Sequence, residues 1–223
     1  MSELMLQAES ISFHYGSEPV LENVCLTASA GECVGIAGIN GSGKSTLLSI
    51  LAGMRRASGG SLICMGHDLF REKGQFAKLI GYVPQDNPLL SDLTVSDNLR
   101  LWSGSKPDPS LQVLQKLELV PLLKKRAGKL SGGQKRRLTI ACALLGDQRI
   151  LIMDEPTSAL DVGQKEIIHR YIKDFTAQKG VVIMATHDII EMELCDRLYH
   201  LSEHRLTEAD VNQVVYLLRK END

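Results

Sequence analysis

Gly38-Ile39-Asn40-Gly41-Ser42-Gly43-Lys44-Ser45-Thr46 is the stretch on which the fold turns. It fits G-x-x-x-x-G-K-[ST], with Gly38, Gly43, Lys44 and Ser45 at the fixed positions. The glycines let the backbone curl so that several N–H groups point at one anion, and a following helix adds the positive end of its dipole. Lys44 can reach β- and γ-phosphates, and the Ser45 hydroxyl can bind Mg²⁺. The flanks supply what this chemistry needs. Residues 32–37 (E-C-V-G-I-A) are predicted as a buried strand, and residues 45–52 (S-T-L-L-S-I-L-A) as a helix closed by Gly53.

Upstream, Ile11, Phe13 and Tyr15 alternate and turn residues at 16–19 precede an apolar run at 20–28, so residues 4–30 are expected to be β-rich. Tyr15, just ahead of the loop, is either a half-buried strand aromatic or a platform on which a base stacks. Downstream, residues 61–65 and 80–83 are predicted strands, and Pro84 leaves Gln85 on a loop. Its amide can coordinate Mg²⁺ or a water, or simply be solvated. Thr94 and Asp97 make a helix-start pair. Pro107 and Pro109 break the chain, and Leu111, Leu114 and Leu117 mark a second helical stripe. A small helical block is therefore expected at about 88–130. Lys124, Lys125, Arg126 and Lys129 form a basic cluster, ordinarily a solvated face.

Ser131-Gly132-Gly133-Gln134 then opens a helix predicted to run to about Leu145, with Lys135, Arg136 and Arg137 in its first turn. Glycines there leave bare N–H groups facing outward, a second anion site or a plain cap. Residues 150–153 (I-L-I-M) form a strand delivering Asp154 and Glu155 at its carboxyl end, where open α/β sheets bind ligands. Asp154 is placed to hold Mg²⁺ and Glu155 to polarise a water. Ser158 to Asp161 precede a helix from about Gln164, and residues 181–185 form a strand ending at His187 on the same edge. Short strands at 197–201 and 205–206 lead to a last helix predicted to start near Thr207.

Composition sets the surroundings. The chain has 223 residues and a net charge of −2, which gives no global reason to expect nucleic acid. Five scattered cysteines without C-x-x-C spacing argue for reduced thiols in a cytosolic setting, against a disulfide framework or zinc site. The longest apolar run falls far short of the ~20 residues of a membrane span.

In their order along the chain, the phosphate loop, Gln85, L-S-G-G-Q at 130–134, Asp154-Glu155-Pro156, residues 158–161 and His187 resemble the ATP-binding cassette (ABC) ATPases. The resemblance covers essentially the whole chain, and L-S-G-G-Q is its most diagnostic part. It implies one domain over 1–223, a phosphate-loop NTPase with a mostly parallel core sheet flanked by helices, an antiparallel N-terminal β subdomain and a small helical subdomain. It also implies roles. Tyr15 stacks on adenine. Lys44 and the backbone of Asn40, Gly41, Ser42, Gly43, Ser45 and Thr46 hold the phosphates. Ser45 and Gln85 bind Mg²⁺ with Asp154 behind them, Glu155 is the general base, and His187 senses the γ-phosphate. Ser131, Gly133 and Gln134 reach ATP on a second subunit, and Asp161 bridges the two sites. Ile39 departs from the proline many members carry, and residues 203–205 (E-H-R) replace a turn where glycine is common.

Function follows as expectation. The chain is expected to be the ATPase subunit of a membrane transporter, a homodimer or heterodimer with a second such subunit. It would sit on the cytoplasmic face, attached to a separate membrane-spanning permease and not to nucleic acid. The L-S-G-G-Q helix and Leu194-Cys195-Asp196-Arg197 look similar to the drug- and polysaccharide-exporter branch, so export is favoured over import. A ribosome- or nucleic-acid-directed cassette, a metabolite kinase and a non-hydrolysing scaffold are the competing classes. L-S-G-G-Q argues against the kinase, and Glu155 with His187 against the scaffold.

Overall fold

Residues 3–72, 79–104 and 107–222 are described in the computed structural model of the chain. Apolar alternation along β1 (Leu4–Tyr15) turns Leu6, Ala8 and Ile11 inward, each almost completely buried. β1 pairs antiparallel with β2 (Glu18–Ser29) and with β4 (Gly59–Cys64), and β4 pairs with the two-residue β5 (His67–Asp68). This small sheet has the order β2-β1-β4-β5.

The larger sheet runs β10-β9-β3-β8-β7-β6. Its strands β3 (Cys33–Ala37), β6 (Ile80–Val83), β7 (Ile150–Asp154), β8 (Val181–Ala185) and β9 (Arg197–Ser202) are parallel. Parallel neighbours need long crossovers, which helices supply. α1 (Lys44–Leu51) follows β3, α5 (Val162–Ala177) joins β7 to β8, and α6 (Ile189–Glu193) joins β8 to β9. β3, β7 and β8 are buried at every position. Their period of two divides the core into two layers. Val34, Ile36, Ile150, Ile152 and Ile183 face α1 and the small sheet, whereas Leu151, Met153, Val182 and Met184 face the helices of the opposite side. Burying one such side chain contributes roughly 1.5–3 kcal/mol.

That opposite layer contains α2 (Val95–Ser103), the short α3 (Gln112–Lys116) and α4 (Gly132–Ala143). The Thr94–Asp97 pair caps α2 reciprocally: Thr94 Oγ1 accepts the Asp97 N–H at 3.1 Å. Leu114 and Leu117 are fully buried, and short 3-10 turns at Val120–Leu122 and Ala127–Lys129 follow α3; residues 105 and 106, within the block expected at about 88–130, lie outside the described residues. Lys124, Arg126 and Lys129 are exposed.

The chain's last segment corrects one expectation. Thr207 does not begin a helix; it lies in β10 (Arg205–Glu208), paired antiparallel with His200 of β9. A β-branched residue suits that extended pairing, and the hairpin bend is made by Glu203 and His204, both left-handed at φ 46° and 66°. The His204 carbonyl accepts the Glu22 N–H of β2 at 2.8 Å. α7 (Val211–Asn222) starts later and buries Val214 against Ala37, Met192 and Leu198.

Candidate active site

The loop between β3 and α1 folds under tight backbone contact. A Cβ on Gly38 would lie 2.5 Å from the Leu201 carbonyl oxygen and 2.8 Å from Ser42 Oγ, so only glycine fits. Asn40, Gly41 and Ser45 are exposed, Gly43 and Thr46 partly so. Ser42 Oγ is buried and has no hydrogen-bond partner among the described residues. An orphaned buried hydroxyl inside a cradle of glycines suits a phosphate oxygen. Lys44 is 7% exposed, and its Nζ donates to the carbonyls of Gly38 and Ile39, both at 2.8 Å. Burial lowers its pKa, while Glu155 and Asp154 pull it back up.

The carboxyl ends of β7 and β8 converge beside it. Asp154, 3% exposed, closes β7 and hydrogen-bonds the Ser45 side chain. Burial raises its pKa above the ordinary carboxylate value. The Ser45 bond, Lys44 and Arg136 oppose that rise, and Glu155 adds to it. Glu155 follows in left-handed backbone at φ 46°, a conformation non-glycine residues seldom adopt. Its Oε2 accepts from Gln85 Nε2 at 3.3 Å, and its Oε1 lies 3.4 Å from His187 Nδ1. Gln85, Glu155 and His187 thus come together from three separate loops, and the His187 side chain stays largely open to solvent. Ser45, Asp154 and Gln85 offer oxygen donors, the chemistry Mg²⁺ takes. No group of three or more His, Cys, Asp or Glu stands ready for a metal among the described residues. Mg²⁺ needs none, since it keeps water and phosphate in its shell.

The remaining expected positions lie elsewhere. Tyr15 ends β1 half exposed, edge-on to Phe13 at 5.0 Å. Ser131 caps α4: its Oγ accepts the Gln134 N–H at 3.3 Å, and Gln134 Oε1 accepts the Ser131 N–H at 3.2 Å. The N–H groups at this turn are therefore not all bare, as the sequence suggests. Gly133 faces Gln164 of α5 so closely that a Cβ would meet its side chain at 2.5 Å. Asp161 caps α5, accepting the Gln164 N–H at 2.9 Å.

Two residues belong to this site that sequence reasoning missed. The Arg55 guanidinium covers both Tyr15 and Phe13, 5.1 and 5.2 Å from the ring centroids. Arg136, 3% exposed, is a strut and not a surface cation. Its guanidinium donates to the carbonyls of Gln85 (3.1 Å), Glu155 (3.0 Å) and Pro156 (3.0 Å), and also to those of Pro84 and Asp154. Burial lowers its pKa against the pull of Asp154, Glu191, Glu155 and Tyr82. Its place four residues before buried Ile140, on the inward face of α4, is the signal that could have found it.

A glycine loop on a buried lysine, opposite paired carboxylates at the carboxyl edge of a parallel sheet, defines a phosphate-loop NTPase. Residues 21–158 match the family described as ABC transporter, and the chain belongs to that family as an ATP-binding, ATP-hydrolysing cassette. It is 35% identical over 213 residues to Nod factor export ATP-binding protein I of Rhizobium sp. (strain N33), covering 92% of this chain and 70% of that protein. It is 33% identical over 202 residues to linearmycin resistance ATP-binding protein LnrL of Bacillus subtilis (strain 168), covering 87% and 65%. This chain thus spans about two thirds of those relatives' length. Among solved structures, a dimeric ATP-binding cassette in a post-hydrolysis state bound to ADP and phosphate superposes with TM-score 0.83 at 28% identity. That match covers 93% of this chain and 99% of the other. No helix among the described residues is long and apolar enough to cross a membrane.

Proposed function

We propose that the chain powers export through a separate membrane-spanning partner, on whose cytoplasmic face it sits, by pairing head to tail with a second cassette around MgATP. The convergence of Gln85, Glu155 and His187 beside Lys44 carries this reading, because it sets a base next to the phosphate cradle. The relatives named for Nod factor export and linearmycin resistance support the outward direction. The dimeric cassette among the structural neighbours supports the pairing.

In this reading Glu155 accepts the proton of the attacking water, and His187, hydrogen-bonding distance away, orients that carboxylate and meets the γ-phosphate. Lys44 and the loop amides from Asn40 to Thr46 hold the phosphates, and Tyr15 receives the base. Ser45 and Gln85 hold Mg²⁺ with Asp154 behind Ser45; the cation, when bound, neutralises charge developing on the phosphates. Ser131, Gly133 and Gln134 contact the nucleotide held by the other subunit, and Asp161 lies between the two sites. Losing the γ-phosphate removes contacts that join the subunits, and the resulting opening drives the partner.

Glu155→Gln tests the base. General base catalysis supplies about 10²–10⁴ in rate, so phosphate release should fall by that factor. ATP binding persists and a closed dimer accumulates on size exclusion. Near-native turnover in this variant overturns the assignment.

A further inference from the structure

Glu191 lies on α6, four residues after His187, and is 1% exposed. A carboxylate so deeply placed needs hydrogen bonds to be tolerated, and it has them from two directions. Thr157 Oγ1 donates to its Oε1 at 2.7 Å, and Thr186 Oγ1 donates to its Oε2. His169 Nε2 of α5 stands 3.7 Å from Oε1. Thr157 comes two residues after Glu155 and Thr186 one before His187. Thr186 Oγ1 also accepts the Asp188 N–H at 3.0 Å, which fixes the turn on which His187 stands.

The geometry points to Glu191 as a positioning residue for hydrolysis: one buried carboxylate clamps the loop after β7 to the loop after β8, and so holds Glu155 and His187 in register. Those two need such a clamp. Glu155 occupies left-handed backbone, and its side-chain contacts with His187 and Gln85 are long, at 3.4 and 3.3 Å. A cavity of about 60 Å³, lined in part by Glu155, His187 and Glu191, lies between the loops and leaves them room to shift. A misplacement of about 1 Å at reacting groups can cost 10²-fold in rate. The inference rests on the roles proposed for Glu155 and His187, and deepens them.

A carboxylate that only stabilised the fold would alter thermal unfolding and leave each folded molecule's chemistry intact. A clamp changes turnover and spares ATP affinity. Steady-state phosphate release is measured for the full chain carrying Glu191→Ala, Glu191→Gln, Thr157→Val or Thr186→Val, with Glu155→Gln alongside. Glu191→Ala should lower kcat roughly 10–100-fold with KM changed by less than about 2-fold. Glu191→Gln should restore kcat to within about 3-fold, because an amide accepts from one threonine and donates to the other. Turnover of Glu191→Ala within about 2-fold of the parent overturns the clamp. So does a folded Glu191→Gln as impaired as the alanine. Should the alanine variant fail to fold, the near-isosteric valine variants decide: about 10-fold lower kcat at unchanged KM supports the clamp, and parental turnover sinks it. A slow Glu155→Gln beside a fast Glu191→Ala removes the clamp alone, whereas a fast Glu155→Gln removes the base assignment beneath it.

Discussion

The phosphate loop with the β7–β8 edge, and the start of α4, both carry chemistry suited to anions, yet they are built in opposite ways. The first is assembled across the whole chain. Lys44 bonds the carbonyls of Gly38 and Ile39, Asp154 reaches Ser45, and Glu155 draws in Gln85 and His187. Its charged groups Lys44 and Asp154 are almost fully buried. The second is a local device, in which exposed Ser131 and half-buried Gln134 cap one another and Gly133 presses against Gln164. A pocket made by tertiary structure can organise chemistry unaided, whereas a preformed turn facing solvent is suited to contact what another molecule brings. That contrast is what the head-to-tail pairing proposed above requires.

The sharpest way to break the contrast is to damage each half in a different subunit. Lys44→Ala and Ser131→Arg should each lower ATPase activity by about 10²-fold or more, on the scale of losing a principal charge-stabilising contact. Mixed in equal amounts, they should regain activity well above either alone, because one composite site then has both intact halves. A mixture no more active than its components would mean that the two regions do not meet across subunits.

A smaller effect concerns the buried half. Burial lifts the Asp154 pKa in the folded chain above its unfolded value. An acid shifted in this direction favours folding below the unfolded pKa, and that contribution disappears as pH rises through the folded pKa. At neutral pH its charge is then a net cost to the nucleotide-free chain. Asp154→Asn should therefore stabilise that chain by about 1 kcal/mol while ATP hydrolysis is lost. Denaturant unfolding at pH 7 and a phosphate-release assay check the two halves of the statement.

The smallest effect belongs to the turn. The Ser131 cap bond is long at 3.3 Å, so Ser131→Ala should cost only about 0.5 kcal/mol, the low end for a lost N-cap. Urea unfolding of the isolated subunit reads it. A loss several times larger would show the turn to be tied into the core, as the other half is.

What could be read in advance follows the same division. The phosphate loop, the apolar strands 150–153 and 181–185, and the edge residues Asp154, Glu155 and His187 are all written in short-range spacing, so the residues alone give them. Arg136 is not, because Lys135, Arg136 and Arg137 look alike along the chain. Only the packing of α4 against the β6 and β7 ends buries Arg136 under the carbonyls. Arg55 over Tyr15, and Thr157 on Glu191, likewise join residues far apart in sequence. The late start of α7 went unread for a related reason. The hairpin before it bends at Glu203 and His204, side chains that give no turn signal of the glycine kind.

Left-handed backbone costs an L residue roughly 1–2 kcal/mol, and the molecule accepts it twice in succession at Glu203 and His204. It does so at the one bend whose carbonyl takes the Glu22 amide and thereby stitches the small sheet to the large. That seam is where an untapped thermal reserve lies. Glycine grafted into it would relax the main chain at two positions that hold no group assigned to the nucleotide, so this cassette could be hardened against heat at its hairpin.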